Sequence, residues 1–380
     1  MSGEVETIQR IIYAFGHRTI PLLANPNTTQ AIRKMSTSVL ATESSDKGMI
    51  ILNRPKALNA INLEMVRKIF KHLKKCEKTK SLMIIKGTGD KAFCAGGDVR
   101  AVVEAGPTEE SKSFFREEYT TNALIGNYKI PYIALIDGIT MGGGVGLSVH
   151  GKYRVATERT LFAMPETAIG LFPDVGGSYF LPRLQGKLGL YLGLTGFRLK
   201  GEDVLKAGIA THYCDSSKLS ELESALLNCP DADEVPDILT KFNMPSAKPF
   251  VLEPKMDQIN KCFSGESVEE ILENLKNDGS EWATKTLQTM AKMSPTSMKV
   301  TFRQLELGAK LSLPQCLNME YRIVLRHLEN SDFKEGVRAL LIDKDQKPQW
   351  NPSTVEAVTE ERVQSFFAKL PDTEELKLKS

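Results

Sequence analysis

No apolar stretch in this chain of 380 residues approaches the roughly 18 needed to span a bilayer, so a membrane-spanning helix is not expected. Charge of one sign is also scarce in excess: the net charge is +2, and no basic stripe interleaved with aromatics appears, which argues against nucleic acid as a partner. Cysteines number six (Cys76, Cys94, Cys214, Cys229, Cys262, Cys316) with no Cys-x-x-Cys pair, the pattern of reduced thiols in an intracellular protein. Five histidines fall without metal-ligand spacing, so no metal is expected. No fixed-period repeat is evident. A phosphate-binding G-x-x-x-x-G-K-[ST] loop is missing, and the run Gly144 to Val149 fails the dinucleotide fingerprint at its third glycine. The run Gly146-Leu147-Ser148-Val149-His150 misses the nucleophile elbow at its fifth place. Ser148 and His150, two apart on an apolar helix, cannot face each other there and read as structural.

What is present is material for a sizeable core: 41% of residues are apolar and 25% charged, near the globular norm. Residues 7–42 hold no Asp or Glu but carry Arg10, Arg18, Arg33 and Lys34 among several hydroxyl residues. Such segments are typical of mitochondrial presequences, and Ile8 to Phe15 could form a short amphipathic helix. Against this stand Glu4 and Glu6 at the start, and Met35 as an alternative initiator. Residues 1–44 are therefore expected to be a mitochondrial presequence or a disordered extension, with folded structure beginning near Asp46.

From there strands alternate with helices. Gly48 to Asn53 is a short apolar run stopped by Arg54-Pro55; Ser81 to Lys86 and Pro131 to Asp137 are further strands. Asn62 can cap a helix from Leu63 to Lys75 whose apolar face carries Met65, Ile69 and Leu73. This alternation predicts β-α-β units in an α/β core over residues 45–228. Strand signals stop near residue 215. Residues 229–254, rich in Asp and Pro, read as an exposed connection, and 255–380 as a helical C-terminal region packed on the core. Ser267 and Glu270 have capping-box spacing before one such helix, with others at Thr284–Met293, Thr296–Leu307 and Leu313–Leu328.

The chemistry-bearing residues cluster. Glu166 and Asp174 each follow a proline, just downstream of the glycine cluster Gly142-Gly143-Gly144. A second cluster, Ala95-Gly96-Gly97-Asp98, precedes a helical stretch, placing Asp98 at a helix start. Amides at Gly97 and in the triple glycine could converge on one carbonyl oxygen as an oxyanion hole, where a single donor is worth roughly 3 kcal/mol of barrier. Spacing alone leaves ordinary tight turns and helix capping as the alternative for these glycines and acids.

The runs Leu52 to Ala60 and Lys91 to Asp98, followed by Gly142 to Gly151 and Phe162 to Gly177, resemble the crotonase (enoyl-CoA hydratase/isomerase) superfamily. Further matching stretches are Phe114–Tyr119, Met293–Ser297 and Ile342–Pro348, so the resemblance spans roughly residues 45–350. It implies the crotonase spiral, an α/β fold of repeated ββα units with C-terminal helices. It places the oxyanion hole on the Gly97 and Gly143 amides, the acid–base or nucleophilic carboxylate on Glu166, and a second catalytic carboxylate on Asp174. Glu118 matches a substrate-contacting position, with a solvated charge cluster as its alternative. Ala57, Ala95, Gly96 and Asp98 would line the CoA groove. Hydratases of the family carry a second glutamate where Gly146 stands here, and glycine where Asp174 stands. The departure implies hydrolysis of a short β-hydroxyacyl-CoA thioester, 3-hydroxyisobutyryl-CoA in valine breakdown, in the mitochondrial matrix. Asp174 would orient the substrate hydroxyl, assist proton transfer or share a proton with Glu166. The CoA is substrate; no cofactor is expected, and a homo-oligomer is compatible with the family. The competing readings are a hydratase or isomerase of the same superfamily and a non-catalytic CoA-binding protein.

Overall fold

The computed structural model describes residues 37–44, 46–245 and 248–378; the acid-poor segment that suggests a presequence lies outside them, apart from its last few residues. Those residues already fold: β1 (Val39–Ser44) pairs antiparallel with β2 (Lys47–Leu52), in the register Val39 opposite Leu52. Ordered structure thus begins before Asp46. The sequence hides this because Val39 to Ser44 has only a weak apolar alternation and begins inside the acid-poor stretch.

Two sheets carry the rest. The larger runs β1-β2-β3-β5-β7-β10, with β3 (Leu82–Gly87), β5 (Tyr132–Ile136), β7 (Tyr153–Ala156) and β10 (His212–Tyr213). The smaller runs β4-β6-β8-β9, with β4 (Ala92–Cys94), β6 (Ile139–Met141), β8 (Leu161–Ala163) and β9 (Leu199–Lys200). Consecutive strands alternate between the sheets: β3 then β4, β5 then β6, β7 then β8, each pair followed by helical structure. Three successive ββα turns make the spiral that the resemblance implies.

The larger sheet is buried on both faces, as parallel sheets generally are. Side chains alternate accordingly. Met83 and Ile85 of β3 join the main core, while Leu82 and Ile84 point to a second core with Ile133, Leu135 and Val155. That second core is closed by Leu222, Leu226, Val235, Ile238 and Leu239. Residues 229–254 are therefore not only an exposed connection: Val235–Phe242 forms a helix whose apolar side covers the sheet. Asp231, Asp233, Pro236 and Asp237 belong to the start of that helix, while Pro245, Pro249 and Pro254 follow it.

The helices that build the site are α1 (Leu63–Thr79), α2 (Val99–Ala105), α3 (Glu109–Gly126) and α4 (Gly143–Gly146). In α1 Met65, Val66, Ile69, Leu73 and Cys76 are buried, and the Asn62 side chain accepts from the Met65 amide at 3.0 Å, a cap worth about 1 kcal/mol. Among the C-terminal helices, α5 (Val268–Asp278) is capped by Ser267, but Glu270 accepts from the Glu266 amide instead of closing the box. A reciprocal box occurs at Ser312 and Gln315, opening α7 (Leu313–Glu329) after α6 (Pro295–Gly308). Helix α7 packs on α3, with Tyr321 edge-on to Tyr119 at 6.5 Å between ring centres.

Candidate active site

Strand order decides which residues meet. β4, β6 and β8 are parallel neighbours, so their C-terminal ends share one edge of the small sheet. Each of these strands runs directly into candidate residues: β4 into Ala95 to Gly97, β6 into Gly142 and Gly143, and β8 into Met164-Pro165-Glu166. Three segments distant in sequence thus converge because the spiral stacks them.

Gly97 forms a bridge with Ile61, in which Ile61 donates to the Gly96 carbonyl at 2.9 Å and Asp98 donates to the Ile61 carbonyl at 2.8 Å. That pattern leaves the Gly97 amide without an acceptor among the described residues. Gly143 is the first residue of α4, whose amide no intrahelical carbonyl can reach. The two amides lie together: a β-carbon on Gly143 would stand 3.3 Å from the Gly97 nitrogen and 2.6 Å from Glu118 Oε1. Any side chain at 143 would crowd the Gly97 amide and the Glu118 carboxyl.

Two carboxylates border the same glycines, Glu118 at Gly143 and Glu166 at Gly142. A β-carbon on Gly142 would lie 3.0 Å from Glu166 Oε1. Glu118, Glu166 and Asp174 are all at most 5% exposed, and Glu118 Oε1 and Glu166 Oε2 have no hydrogen-bond partner. The alternative for Glu118, a solvated charge cluster, holds for its neighbours only: Glu117 pairs with Arg67, and Arg116 with Glu109, on the outside of α3. Asp174 Oδ2 accepts from the Tyr119 hydroxyl at 2.8 Å. Burial, then the charges of Asp174 and Glu166, hold Glu118 protonated well above the usual carboxylate range. Burial and Asp174 do the same for Glu166. Asp174 is pushed up to about 7 by burial, with the Tyr119 hydrogen bond pulling the other way. Buried acids this close cannot all ionise, and they titrate as a group.

The remaining expected residues lie close to these. The Ala95 amide donates to the Leu58 carbonyl at 3.0 Å, tying the half-buried Ala57 turn to Ala95 and Gly96. Asp98 does stand at the start of α2, but its side chain makes no cap; it pairs with Arg54 at 3.1 Å. Ser148 and His150 are structural, as their spacing implies: Ser148 bonds back to Gly144 and Val145 carbonyls, and His150 Nε2 meets the Val175 carbonyl at 2.7 Å.

Several contributors give no sequence signal. Tyr119 and Asn122 follow Glu118 on α3; reading a helix over 109–126 would have put Asn122 on the Glu118 face. Glu320 of α7 receives the Gly176 amide at 2.7 Å, the Ser178 amide at 2.9 Å and the Ser178 hydroxyl, fixing the loop beyond Asp174. Gln304 Nε2 holds the Pro173 carbonyl at 2.7 Å on the other side. No local signal announces residues that act across more than a hundred positions. Gly146 also gains a physical reason: a β-carbon there would meet Val175 Cβ at 2.7 Å and Asn122 Nδ2 at 2.8 Å, so no carboxylate-bearing side chain fits.

Comparison with known proteins places the chain among relatives over most of its length. A family model described as Enoyl-CoA hydratase/isomerase matches residues 47–367. The chain is 60% identical over 341 residues to the mitochondrial 3-hydroxyisobutyryl-CoA hydrolase of Xenopus laevis, covering 87% of this chain and 89% of that one. To the Homo sapiens protein of the same name it is 55% identical, again over 87% and 89%. Among solved structures, a carnitinyl-CoA dehydratase from Mycobacterium thermoresistibile superposes with a TM-score of 0.83 at 36% identity, over 90% of this chain and 99% of that one. An enoyl-CoA hydratase from Rhodobacter sphaeroides gives 0.81 at 34% identity, over 90% and 100%. The chain belongs to the enoyl-CoA hydratase/isomerase family, with the fold its three spiral turns display.

Proposed function

We propose that this protein hydrolyses 3-hydroxyisobutyryl-CoA to 3-hydroxyisobutyrate and free CoA in the mitochondrion, as a step of valine breakdown. The observation that carries the reading is its identity of 55–60% to mitochondrial hydrolases of that thioester over most of both chains. The site supports the same reaction class over hydration of a double bond. Holding one water between two glutamates requires a second carboxylate at position 146, where Val175 and Asn122 leave no room for a side chain.

In the proposed mechanism the thioester oxygen sits between the Gly97 and Gly143 amides, which hold the negative charge as it grows. Glu166, whose Oε2 is free of partners, acts on the carbonyl carbon. It either attacks to give a mixed anhydride, expelling the CoA thiolate, after which water cleaves the anhydride and restores Glu166, or takes the proton of a water that attacks the carbonyl and displaces the thiolate directly. Asp174 is the proton partner: one proton shared with Glu166 leaves the pair a single negative charge, which reaches Glu166 when Asp174 takes the proton. Tyr119, donating to Asp174, steadies the arrangement. Glu118, Ala57, Ala95, Gly96 and Asp98 contribute the walls of the acyl-CoA groove.

The test is release of free thiol from 3-hydroxyisobutyryl-CoA, followed with a thiol reagent beside the absorbance of an enoyl-CoA. Thiol release without a change in enoyl absorbance supports the hydrolase; the reverse identifies a hydratase; neither leaves a binding protein. Turnover in oxygen-18 water separates the two routes, because only the anhydride route puts label into Glu166.

A further inference from the structure

Most buried polar side chains find a partner, since leaving one unpaired costs free energy. Asn122 does not. It is fully buried, and both its Oδ1 and its Nδ2 lack a hydrogen-bond partner. Four residues after Glu118 on α3, it shares the face that looks at α4. The two helices meet in register: Glu118 lies over Gly143, and Asn122 over Gly146. The unpaired Glu118 Oε1 borders the same glycine strip at Gly143, and Glu166 Oε1 borders it at Gly142. The carboxamide therefore stands about one helical turn, ~6 Å, beyond the residue beside the oxyanion amides. It occupies the space that a side chain at 146 would take.

A β-hydroxyacyl thioester carries its hydroxyl two carbons beyond the carbonyl. A carboxamide offers a hydroxyl both things it needs, an acceptor for its proton and a donor for its lone pair. Resting on the hydrolase reading above, we propose that Asn122 is the specificity residue of the acyl pocket, taking the β-hydroxyl of the substrate through Oδ1 and Nδ2. The polar group lost at Gly146 is thereby replaced from the neighbouring helix by a neutral one. It recognises a hydroxyl already present on the substrate and takes no part in adding water.

The test compares 3-hydroxyisobutyryl-CoA with isobutyryl-CoA, which lacks only the hydroxyl, in wild type and Asn122→Leu. Where the deoxy compound turns over slowly, its competitive inhibition constant stands in for its rate. Wild type is expected to favour the hydroxylated substrate by at least about 10-fold in kcat/KM. Asn122→Leu should abolish most of that preference, with KM rising for the hydroxylated substrate while the deoxy compound is handled as before. Leucine has a similar shape and no unpaired atoms, so the variant should melt at or above wild type. Asn122→Ala repeats the comparison without the added branch, should the leucine variant fail to fold. Equal losses on both substrates would assign Asn122 to the attacking water or to packing and overturn the proposal; so would an unchanged preference. Absence of thiol release by the wild type from either substrate would instead sink the hydrolase reading itself.

Discussion

Replacing Asp174 with Asn should make the protein more stable as pH rises, and the size of the effect comes from the buried carboxyl. Its ordinary value of 3.8 is pushed up to about 7 in the fold, chiefly by burial. An acid held above its unfolded value contributes stability that is complete below about pH 4 and is lost as pH rises through about 7. The difference is about 3 pH units, each equivalent to 1.36 kcal/mol, so this group alone weakens the folded state by up to about 4 kcal/mol between pH 4 and 8. Asparagine has nearly the same shape and keeps an oxygen for the Tyr119 hydroxyl. It also removes the Asp174 charge that adds to burial in raising Glu166, which works in the same direction. Urea unfolding at a series of pH values should show the variant and wild type close together near pH 4.5, with the variant ahead by several kcal/mol near pH 8. Parallel curves across that range would refute the claim that burial raises Asp174 to about 7. Such a group is a liability to folding, and its retention makes sense as the cost of chemistry.

Other consequences can be measured directly. Gly143→Ala puts a methyl 3.3 Å from the Gly97 nitrogen and 2.6 Å from Glu118 Oε1, so kcat should fall roughly 100- to 1,000-fold, the toll of losing an oxyanion donor; a loss under tenfold in steady-state turnover would contradict the placement. The rate should rise with pH through about 7, where Asp174 titrates and the Glu166–Asp174 pair falls to the single shared proton. In Tyr119→Phe that limb should move to higher pH, because the hydrogen bond that favours the carboxylate is gone; a limb unmoved or moved down in the pH–rate profile would count against it. Glu320→Ala strips the acceptor from the Gly176 and Ser178 amides. It should cost about 1–3 kcal/mol in denaturant unfolding and lower kcat more than it raises KM.

Much of the architecture is legible because its signals are local. The strands at Gly48–Asn53, Ser81–Lys86 and Pro131–Asp137 and the capped helix after Asn62 announce themselves by period and turn chemistry, and all four lie where expected within a few residues. Val39–Ser44 gives no such signal because an edge strand with one partner needs little apolar pattern. The helix at Val235–Phe242 reads as a connection because its Asp and Pro residues sit where helix starts tolerate them. Motifs single out Gly97, Gly143, Glu118, Glu166 and Asp174; three parallel strand ends bring the first, second and fourth together, while Glu118 comes from α3 and Asp174 from the loop after Glu166. Glu320 and Gln304 cannot be named, since they hold the Asp174 loop from helices far along the chain. Asn122 is equally silent: an asparagine inside a helix says nothing until its empty hydrogen bonds and its glycine neighbour are seen together.

The central claim is that two main-chain amides grip the thioester oxygen while Glu166 drives the loss of sulfur. Single-turnover hydrolysis of 3-hydroxyisobutyryl-CoA by Glu166→Gln, with substrate affinity measured on the same preparation, tests it most directly. The expected result is a rate lowered by about 1,000-fold or more at nearly unchanged affinity. A rate within tenfold of wild type would contradict the account.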